Sequence, residues 1–362
     1  MDGFRNLEIK NFRGIDHLKI DDFSRVNILL GQNSSGKSSV LEAISLLTGM
    51  GNSDSPLNMN RLRTRNLFSP FKDLYYLFYN MNVKMPLEIS SEQFDGEIRD
   101  LRLKLTYVFN EQAARQENGL NGVPPVSETK TFLNTLCMDF DIVSPSEKRS
   151  YQSSMTANQE GIISDRKPAA DYLEKNTSVY LTADLWSINL ASQLSELFKR
   201  KQKSVVLQRL SLFDHRIVDV DILQDDIYIE FENVPEKLPL RMTGDGLRRY
   251  LNIVAASANP TTNIILIDEI DNGLHYSAYK KLWEAIFSLA TTTNKQVFVT
   301  THSKETLSHL NEMLAGNPEY RQEMRLYTLA KTPIKGHQAY QYTFEGLSGA
   351  CENDVELRGR ML

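Results

Sequence analysis

The chain has 362 residues, of which 41% are hydrophobic and 24% charged, and its formal net charge at pH 7 is −5. This length accommodates two or three domains, or one large domain with an insertion, and the composition is that of an ordinary globular protein. The negative balance argues against a protein coated with nucleic acid, although it leaves room for a local basic patch. The two cysteines, Cys137 and Cys351, indicate neither a disulfide framework nor a zinc site. Without a signal-peptide core or an apolar run of ~18–20 residues, we expect a cytoplasmic protein with no membrane partner.

The first fifty residues predict strands that lead into a phosphate-binding loop. "LEIKNF" and "LKIDDF" alternate apolar and polar residues, and the apolar run "VNILL" (26–30) follows them. The next stretch, "GQNSSGKSS" (31–39), fits the pattern G-x-x-x-x-G-K-S, whose backbone N–H groups surround phosphates. The segment after it has apolar residues at helical spacing and Gly49 as the expected C-cap. Strand, loop and helix is the order that a phosphate loop requires.

The middle of the chain carries no motif of comparable strength. Residues 51–80 predict loop and short helix, "PLEISSEQFDGEIRDLRLKLTYVF" predicts strands, and the polar region 111–176 is expected to be rich in loops. "DLWSINLASQLSELFKRKQKSVVLQRL" predicts one amphipathic helix, and "VDVDILQDDIYIEF" returns to strand-like alternation. We interpret its acids as strand alternation with solvated carboxylates rather than as a metal centre: Asp219, Asp221, Asp225 and Asp226.

A second glycine-containing turn lies in "LRMTGDGLRRYLNIVAAS". Gly244, Asp245 and Gly246 predict a tight turn before a helix with an apolar stripe. A helix N-terminus with exposed backbone N–H groups favours anions. One nucleotide does not need two such loops from one chain, so two chains placed head to tail would supply one loop each. The alternative is a simple helix N-cap turn.

Two further buried strands end in polar residues. "NIILIDEIDNGLH" places Asp268 and Glu269 at the carboxyl end of an apolar strand, where open α/β sheets bind ligands. In a phosphate-loop enzyme Asp268 would hold Mg²⁺ together with Ser38, and Glu269 would be the general base. "QVFVTTHS" ends the next strand in His302, which could reach the γ-phosphate. Taken alone, each pattern also fits a strand end with solvated acids or a structural histidine.

These residues resemble an ABC-type ATPase head. The order phosphate loop, signature helix, Asp-Glu strand, D-loop and switch histidine is matched by residues 31–38, 244–246, 268–269, 271–274 and 302. "NFRG" before "GQNSSGKSS", and "DEIDNGLH", are similar to the RecF, SMC and OLD branch. "MTGDGLRR" in place of LSGGQ is similar to AAA-type ATP-binding proteins of bacterial phage-defence loci, the class of the PARIS and Septu ATPase subunits. The resemblance covers residues 1–50 and 240–310, and is weak between them.

The resemblance implies an α/β fold, an ABC-type P-loop NTPase head with a mixed β-sheet and a compact insertion between the phosphate loop and the signature helix. Residues 1–50 and 241–362 would form the head, and residues 51–240 a β lobe with a helical, loop-rich insertion. The ~230 residues between the phosphate loop and the Asp-Glu strand are too few for SMC coiled-coil arms, and about 60 residues after His302 are too few for an OLD nuclease domain. Nothing around Gln93, the nearest candidate, supports a Q-loop role.

The expected reaction is hydrolysis of ATP with Mg²⁺. Lys37 would bridge the β- and γ-phosphates, Glu269 would activate water and His302 would sense the γ-phosphate. Ser38 and Asp268 would hold the metal, while Gly244, Asp245 and Gly246 would close over the partner chain's nucleotide. Arg13 of "NFRG" approaches the nucleotide in this reading, with a solvated turn arginine as the alternative. The loop residues expected to bind the nucleotide are Gly31, Asn33, Ser34, Ser35, Gly36, Lys37, Ser38 and Ser39.

The leading hypothesis is a homodimer or higher homo-oligomer that forms through ATP and regulates a separate effector protein, a nuclease or toxin, in antiphage defence. The alternatives are a RecF-like DNA-repair ATPase and a nucleotide-binding scaffold with little turnover. Two basic clusters are candidates for DNA contact, with solvated surface as the other reading: Arg61, Arg63 and Arg65, and Lys199, Arg200, Lys201 and Lys203. The aromatic residues of 68–79 are either core or a docking surface.

Overall fold

An antiparallel sheet of seven strands forms the larger of the two main sheets. The computed structural model describes residues 3–63, 74–110, 131–158, 163–182 and 190–359. The strands of this sheet are β1 (Leu7–Phe12), β2 (Ile15–Ile20), β4 (Leu87–Glu92), β5 (Ile98–Asn110), β6 (Thr131–Val143), β7 (Lys148–Asn158) and β8 (Ile163–Lys167). Their spatial order is β2-β1-β4-β5-β6-β7-β8. Most of the sheet therefore comes from the middle of the chain.

The second main sheet has six strands and is mixed. Its strands are β3 (Val26–Leu30), β9 (Ser178–Leu181), β13 (Ile264–Ile267), β14 (Gln296–Thr300), β15 (Met324–Thr332) and β16 (Gly336–Tyr342). The order is β16-β15-β3-β14-β13-β9, and every neighbouring pair is parallel except β15 with β16. Strands β3, β13 and β14 are buried along their whole length, as their apolar sequences predict. Their carboxyl ends therefore meet at one edge of the sheet.

Helices cover both faces of the six-stranded sheet. Helix α1 (Lys37–Leu47) lies between the two main sheets, where its apolar residues share one core with both, and α2 (Ser55–Arg63) follows it. On the other face, a second core joins the sheet to α3 (Leu190–Lys199), α4 (Lys203–Phe213), α5 (Asp245–Ala258), α6 (Tyr279–Thr292), α7 (Lys304–Gly316) and α8 (Phe344–Glu352). A small antiparallel sheet packs there too: β10 (Ile217–Leu223), β11 (Asp226–Phe231) and β12 (Leu238–Pro239). No helix in the described ranges is long and apolar enough to cross a membrane.

Three local predictions differ from the structure. Much of the region expected to be loop-rich is the β6–β7 hairpin, whose buried Leu136, Met138 and Phe140 alternate with polar residues; residues 111–130 lie outside the described part. The single helix expected over 184–210 is two helices, α3 and α4, separated by Lys201, whose φ of 61° is left-handed. Helix α1 is capped by Thr48 rather than by Gly49.

Candidate active site

The phosphate loop, residues 31–38, joins the end of β3 to α1 and requires glycine at two positions. A Cβ atom on Gly31, whose φ is 149°, would collide with Ser35 Oγ and lie 2.6 Å from the Leu329 carbonyl oxygen. Gly36 caps α1 at φ 98°, a left-handed backbone that favours glycine. No side chain caps the N-terminus of this helix. Its first N–H groups are thus available to an anion, which the helix dipole also favours.

The loop residues fall into an exposed tip and a buried base. Asn33 and Ser34 are exposed at the tip, and Ser34 has a positive φ of 65°. Ser35 and Ser39 are buried, and the Ser35 N–H donates to the Gln32 carbonyl at 3.2 Å. The backbone therefore curves around the loop centre while the side chains at its tip face outward.

Lys37 is a buried cation at the centre of the loop. Its Nζ donates to the carbonyl oxygens of Gly31 and Gln32, each at 2.9 Å. Burial lowers the pKa of Lys37, while the carboxylates of Asp268, Glu269 and Asp271 act in the opposite direction. Because both hydrogen-bond partners are neutral carbonyls, a phosphate in the loop would supply the counter-charge that this ammonium lacks at contact distance.

Asp268 connects the phosphate loop to the neighbouring strands. Its Oδ1 accepts hydrogen bonds from Ser38 Oγ at 3.1 Å and from Thr300 Oγ1 at 2.5 Å. Its Oδ2 accepts from the Tyr180 hydroxyl on β9 at 3.2 Å. A hydroxyl and a carboxylate at this spacing are hard oxygen ligands of the kind that Mg²⁺ prefers, so the donor set fits that ion with waters and phosphate completing its shell.

Glu269 has an exposed side chain on a firmly held backbone. Its φ of 50° is left-handed, which costs a non-glycine residue roughly 1–2 kcal/mol. The Glu269 N–H donates to Thr300 Oγ1 at 2.8 Å, and Arg249 Nη1 donates to the carbonyl oxygens of Glu269 and Ile270, each at 3.1 Å. The carboxylate thus extends from an immobilised backbone towards solvent, where a water can reach it.

His302 follows β14 at the same edge of the sheet, in a switch loop formed by residues 301–303. Its Nδ1 lies 3.5 Å from Asp271 Oδ2, and Thr301 Oγ1 donates to Asp271 Oδ1 at 2.6 Å. The His302 carbonyl oxygen accepts from Arg358 Nη1 at 3.0 Å. The imidazole is half exposed and oriented by a buried carboxylate.

The signature turn, residues 244–246, lies at the start of α5 and is not a separate tight turn. Gly244 is the N-cap at φ −66°, whereas Asp245 and Gly246 are already helical. A Cβ atom on Gly244 would have no atom within 4 Å, and one on Gly246 would make only ordinary contacts from 3.6 Å. The fold of this chain therefore does not itself require these glycines. Among the described residues, no hydrogen bond joins the signature turn to the phosphate loop.

Arg13 is part of a buried ion pair, so its interpretation as a solvated turn residue is wrong. Its Nε donates to Glu42 Oε2 on α1 at 3.0 Å, and the two side chains are only 8% and 2% exposed. Its Nη1 donates to the Tyr76 carbonyl oxygen at 3.1 Å. The pair anchors the β1–β2 turn to α1, and Ile15 of the same hairpin packs against Gly36.

The acids of β10 and β11 have basic partners. Asp219 and Asp221 each form ion pairs with Lys203 and Lys237, and Asp226 pairs with Arg241. Lys203 thus belongs to a local charge network, and Lys199 pairs with Glu196. Arg61 is exposed, whereas the Arg63 side chain and Arg65 lie outside the described residues.

Neither Gln93 nor the described part of the aromatic cluster belongs to the site. Gln93 is in the turn after β4 and forms an isolated antiparallel β-bridge with Phe4. The Phe4 N–H in turn donates to the side chain of Gln296, at the start of β14. This places Gln93 at the end of the sheet opposite the phosphate loop. Leu77 and Phe78 of the aromatic cluster are buried, Tyr76 is exposed, and residues 68–73 lie outside the described part.

Sequence reasoning did not identify Thr300, Arg249 or Arg358 as part of this edge. The hydroxyl of Thr300, the last residue of the buried strand β14, was a usable signal, because polar residues at the carboxyl ends of parallel strands converge. No sequence signal distinguished Arg249 or Arg358, since an arginine on a helix or in a polar segment usually faces solvent.

Comparisons with known proteins relate the chain to one family and to a known fold. A family model described as AAA domain, putative AbiEii toxin, Type IV TA system matches residues 26–308. An ATP/GTP phosphatase of Helicobacter pylori is 26% identical over 380 residues, covering 98% of this chain and 100% of that protein. The DNA replication and repair protein RecF of Nitrosococcus oceani is 54% identical over 48 residues, 13% of either chain. A crystal structure of the Smc head bound to the C-winged helix domain of ScpA has a TM-score of 0.51 at 12% identity, covering 96% of this chain and 99% of that chain. The last likeness is one of fold, an α/β architecture with mixed sheets.

Proposed function

The chain belongs to the family described as AAA domain, putative AbiEii toxin, Type IV TA system, and from this membership we propose that it hydrolyses ATP at the edge formed by β3, β13 and β14. The observation that carries the proposal is the contact of Ser38 with Asp268 beside the buried Lys37. Ser38 and Asp268 are separated by 230 positions in the chain. Together with Lys37 they provide a phosphate-binding cation and two oxygen ligands.

In the proposed reaction, the phosphate loop and Lys37 would bind the β- and γ-phosphates, and Ser38 and Asp268 would hold Mg²⁺. When bound, Mg²⁺ neutralises charge on the phosphate oxygens. Water attacks the γ-phosphorus while its bond to the β,γ-bridging oxygen breaks and ADP leaves. Glu269, whose carboxylate is exposed on a fixed backbone, would accept the proton of that water. His302, oriented by Asp271, donates a hydrogen bond to the γ-phosphate.

We further propose that two chains pair head to tail, so that the signature turn of one closes over the nucleotide of the other. The support is the pair of glycines at 244 and 246 that the chain's own fold does not require. Glycine at these positions lets another backbone or a phosphate approach closely. Met242, next to the turn, is 74% exposed and available to a partner.

The proposed biological role is regulation of a separate effector protein in antiphage defence, consistent with the toxin–antitoxin wording of the family description. The second candidate is a DNA-repair ATPase, favoured by the RecF match, which extends over only 48 residues. DNA-stimulated hydrolysis with a steep dependence on salt concentration would favour the second candidate. Nucleotide binding without turnover would instead indicate a scaffold.

Two variants test the catalytic proposal. Lys37→Ala should abolish ATP binding, whereas Glu269→Gln should keep binding and lower turnover by ~10²–10⁴-fold, the usual effect of losing a well-placed base. Isothermal titration and phosphate release measure the two quantities. Turnover of Glu269→Gln at the wild-type rate would remove Glu269 as the base.

Light scattering of the Glu269→Gln protein tests the pairing of chains. Addition of ATP should double its mass or raise it further, and Gly246→Arg in the same background should prevent the change. A mass that stays the same with and without ATP would contradict the head-to-tail arrangement.

A further inference from the structure

The segment that follows α8, residues 353–359, is fixed against the body of the protein. The Val355 N–H donates to the Ala350 carbonyl at 2.8 Å. Leu357 is buried in the helical core, and its carbonyl oxygen accepts a hydrogen bond from Thr328 on β15. Gly359 has a φ of 77°, a left-handed conformation in which the chain passes close to Thr328. We call these residues the C-terminal segment.

The C-terminal segment contacts two loops of the ATP site at once. Gln32 Nε2, in the phosphate loop, donates to the Gly359 carbonyl oxygen at 2.8 Å. Arg358 Nη1 donates to the His302 carbonyl oxygen in the switch loop at 3.0 Å. Adjacent residues of one short segment therefore hold two loops that lie 270 positions apart in the sequence.

The guanidinium of Arg358 is oriented before it reaches the switch loop. Its Nε donates to Glu356 Oε1 at 2.7 Å and its Nη2 to Glu356 Oε2, a two-point pair that fixes the plane of the guanidinium. This pairing lowers the pKa of Glu356 to about 2, so the pair is ionised at any pH of assay. Nη1 of the same planar guanidinium is not one of the two atoms that donate to Glu356, and it donates its hydrogen bond to the His302 carbonyl.

We propose that Arg358 is a positioning residue for ATP hydrolysis, which acts by holding the His302 carbonyl at a set distance from the phosphate loop. This inference rests on the proposed binding of the γ-phosphate between Lys37 and His302. The His302 backbone has a donor from the C-terminal segment on one side, and its imidazole meets Asp271 on the other. Loss of the first contact frees the switch loop without removing any group that touches the nucleotide.

Arg358→Ala should therefore lower kcat for ATP by at least about tenfold, because misplacement of a reacting group by about 1 Å costs as much as 10²-fold. KM for ATP should change less than about threefold, since Lys37 and the α1 N-terminus remain intact. Arg358→Lys keeps a donor for the His302 carbonyl but cannot form the two-point pair with Glu356. Its kcat should therefore lie between those of Arg358→Ala and the wild type. Phosphate-release kinetics give both constants.

Arg321→Ala is the matched control. Arg321 also donates to two backbone carbonyls, those of Leu314 and Ala315, but at the opposite end of α7 from the switch loop. Its loss should lower the thermal midpoint by an amount similar to the loss in Arg358→Ala, with kcat unchanged. An equal fall in kcat for both variants would show that Arg358 only stabilises the fold and would overturn the inference.

Gln32→Met tests the second anchor and keeps the inference testable if Arg358→Ala fails to fold. Gln32→Met should lower kcat on its own, and wild-type kcat for it would overturn the inference if Arg358→Ala does not fold. Where Arg358→Ala folds, the double variant should lose less than the product of the two single losses, because both anchors act through one segment. Losses that multiply would overturn the inference, as would wild-type kcat for Arg358→Ala. Wild-type turnover by Lys37→Ala would contradict the proposed nucleotide site itself, whereas an inactive Lys37→Ala beside a fully active Arg358→Ala would refute only the positioning role.

Discussion

Replacement of Arg249 by methionine should reduce both the stability and the activity of the enzyme. Its two hydrogen bonds to the carbonyls of Glu269 and Ile270 come from a charged, buried donor. Each such bond is worth roughly 1.5–3 kcal/mol. Removal of the desolvated guanidinium, whose pKa is lowered by burial, offsets part of the loss. We therefore expect the free energy of unfolding to fall by about 3 kcal/mol.

The effect on catalysis should be larger than this loss of stability alone would cause. Glu269 has a left-handed backbone. Without Arg249 it keeps the hydrogen bonds of its N–H to Thr300 and of its carbonyl to the Asn272 N–H but loses the contact with the guanidinium, so it can shift towards an ordinary conformation. A carboxylate displaced by about 1 Å should lower kcat by about 10²-fold. Urea unfolding and phosphate release, both measured where the variant is fully folded, give the two quantities.

The neighbouring variant Arg248→Met is the control for the Arg249 experiment. Arg248 is partly exposed and pairs with Asp245 within its own helix, so its loss should change stability by less than about 1 kcal/mol. A fully folded Arg249→Met protein with wild-type kcat would refute the view that Arg249 fixes the position of Glu269.

Three further predictions follow from buried groups. Gly31→Ala should weaken ATP binding more than tenfold and destabilise the fold by about 1–3 kcal/mol, because the added Cβ overlaps oxygen atoms on both sides; titration calorimetry and urea unfolding measure the two effects. Glu42→Gln should lower the free energy of unfolding by about 3–5 kcal/mol, since it removes the carboxylate that pairs with the buried Arg13 guanidinium. Burial lowers the pKa of Lys295 to about 8, so from there to the ordinary lysine pKa of about 10.4 the unfolded chain binds a proton that the folded chain does not. Relative to Lys295→Met, the wild type should therefore gain up to roughly 3 kcal/mol of stability as pH rises through that window.

Each of these predictions has a result that would contradict it. Gly31→Ala with unchanged affinity would mean that the loop can shift away from Ser35. Glu42→Gln should cost far more than Asp21→Asn, which breaks an exposed pair with Lys19, and equal effects would contradict the importance of burial. A stability difference between wild type and Lys295→Met that stays constant from pH 8 to 10 would mean that Lys295 titrates normally.

The edge of the six-stranded sheet that carries the site could be predicted from sequence, because three of its strands have a recognisable apolar pattern. "VNILL", "IILI" and "QVFVT" are short, largely apolar runs. The first is followed by the phosphate loop and the other two by polar residues, and parallel buried strands end at one edge. From this pattern alone, Lys37, Asp268 and His302 are expected at the same edge of the sheet.

The remaining contacts could not be predicted, for identifiable physical reasons. Arg249 is one of several arginines on helices, and nothing local distinguishes a buried one from a solvated one. The contact between Gln32 and Gly359 spans 327 positions and involves a glycine carbonyl, which leaves no trace in the sequence. In β6 and β7 the alternation was present, but polar side chains on the outer face hid it within a segment of high average polarity.

The strand order of the six-stranded sheet also constrains how the protein can be made. Strand β3 ends at Leu30, yet its neighbours β14 and β15 begin at Gln296 and Met324. At a synthesis rate of roughly 5–20 residues per second, the ribosome needs about 13 to 53 seconds to reach β14 after finishing β3. During this time an apolar strand with two open edges awaits both of its partners, and such edges are prone to pair with other chains. One edge of β3 therefore stays open until β15 has also been made, and the phosphate loop acquires its final shape only after β14 and β15 have both joined β3.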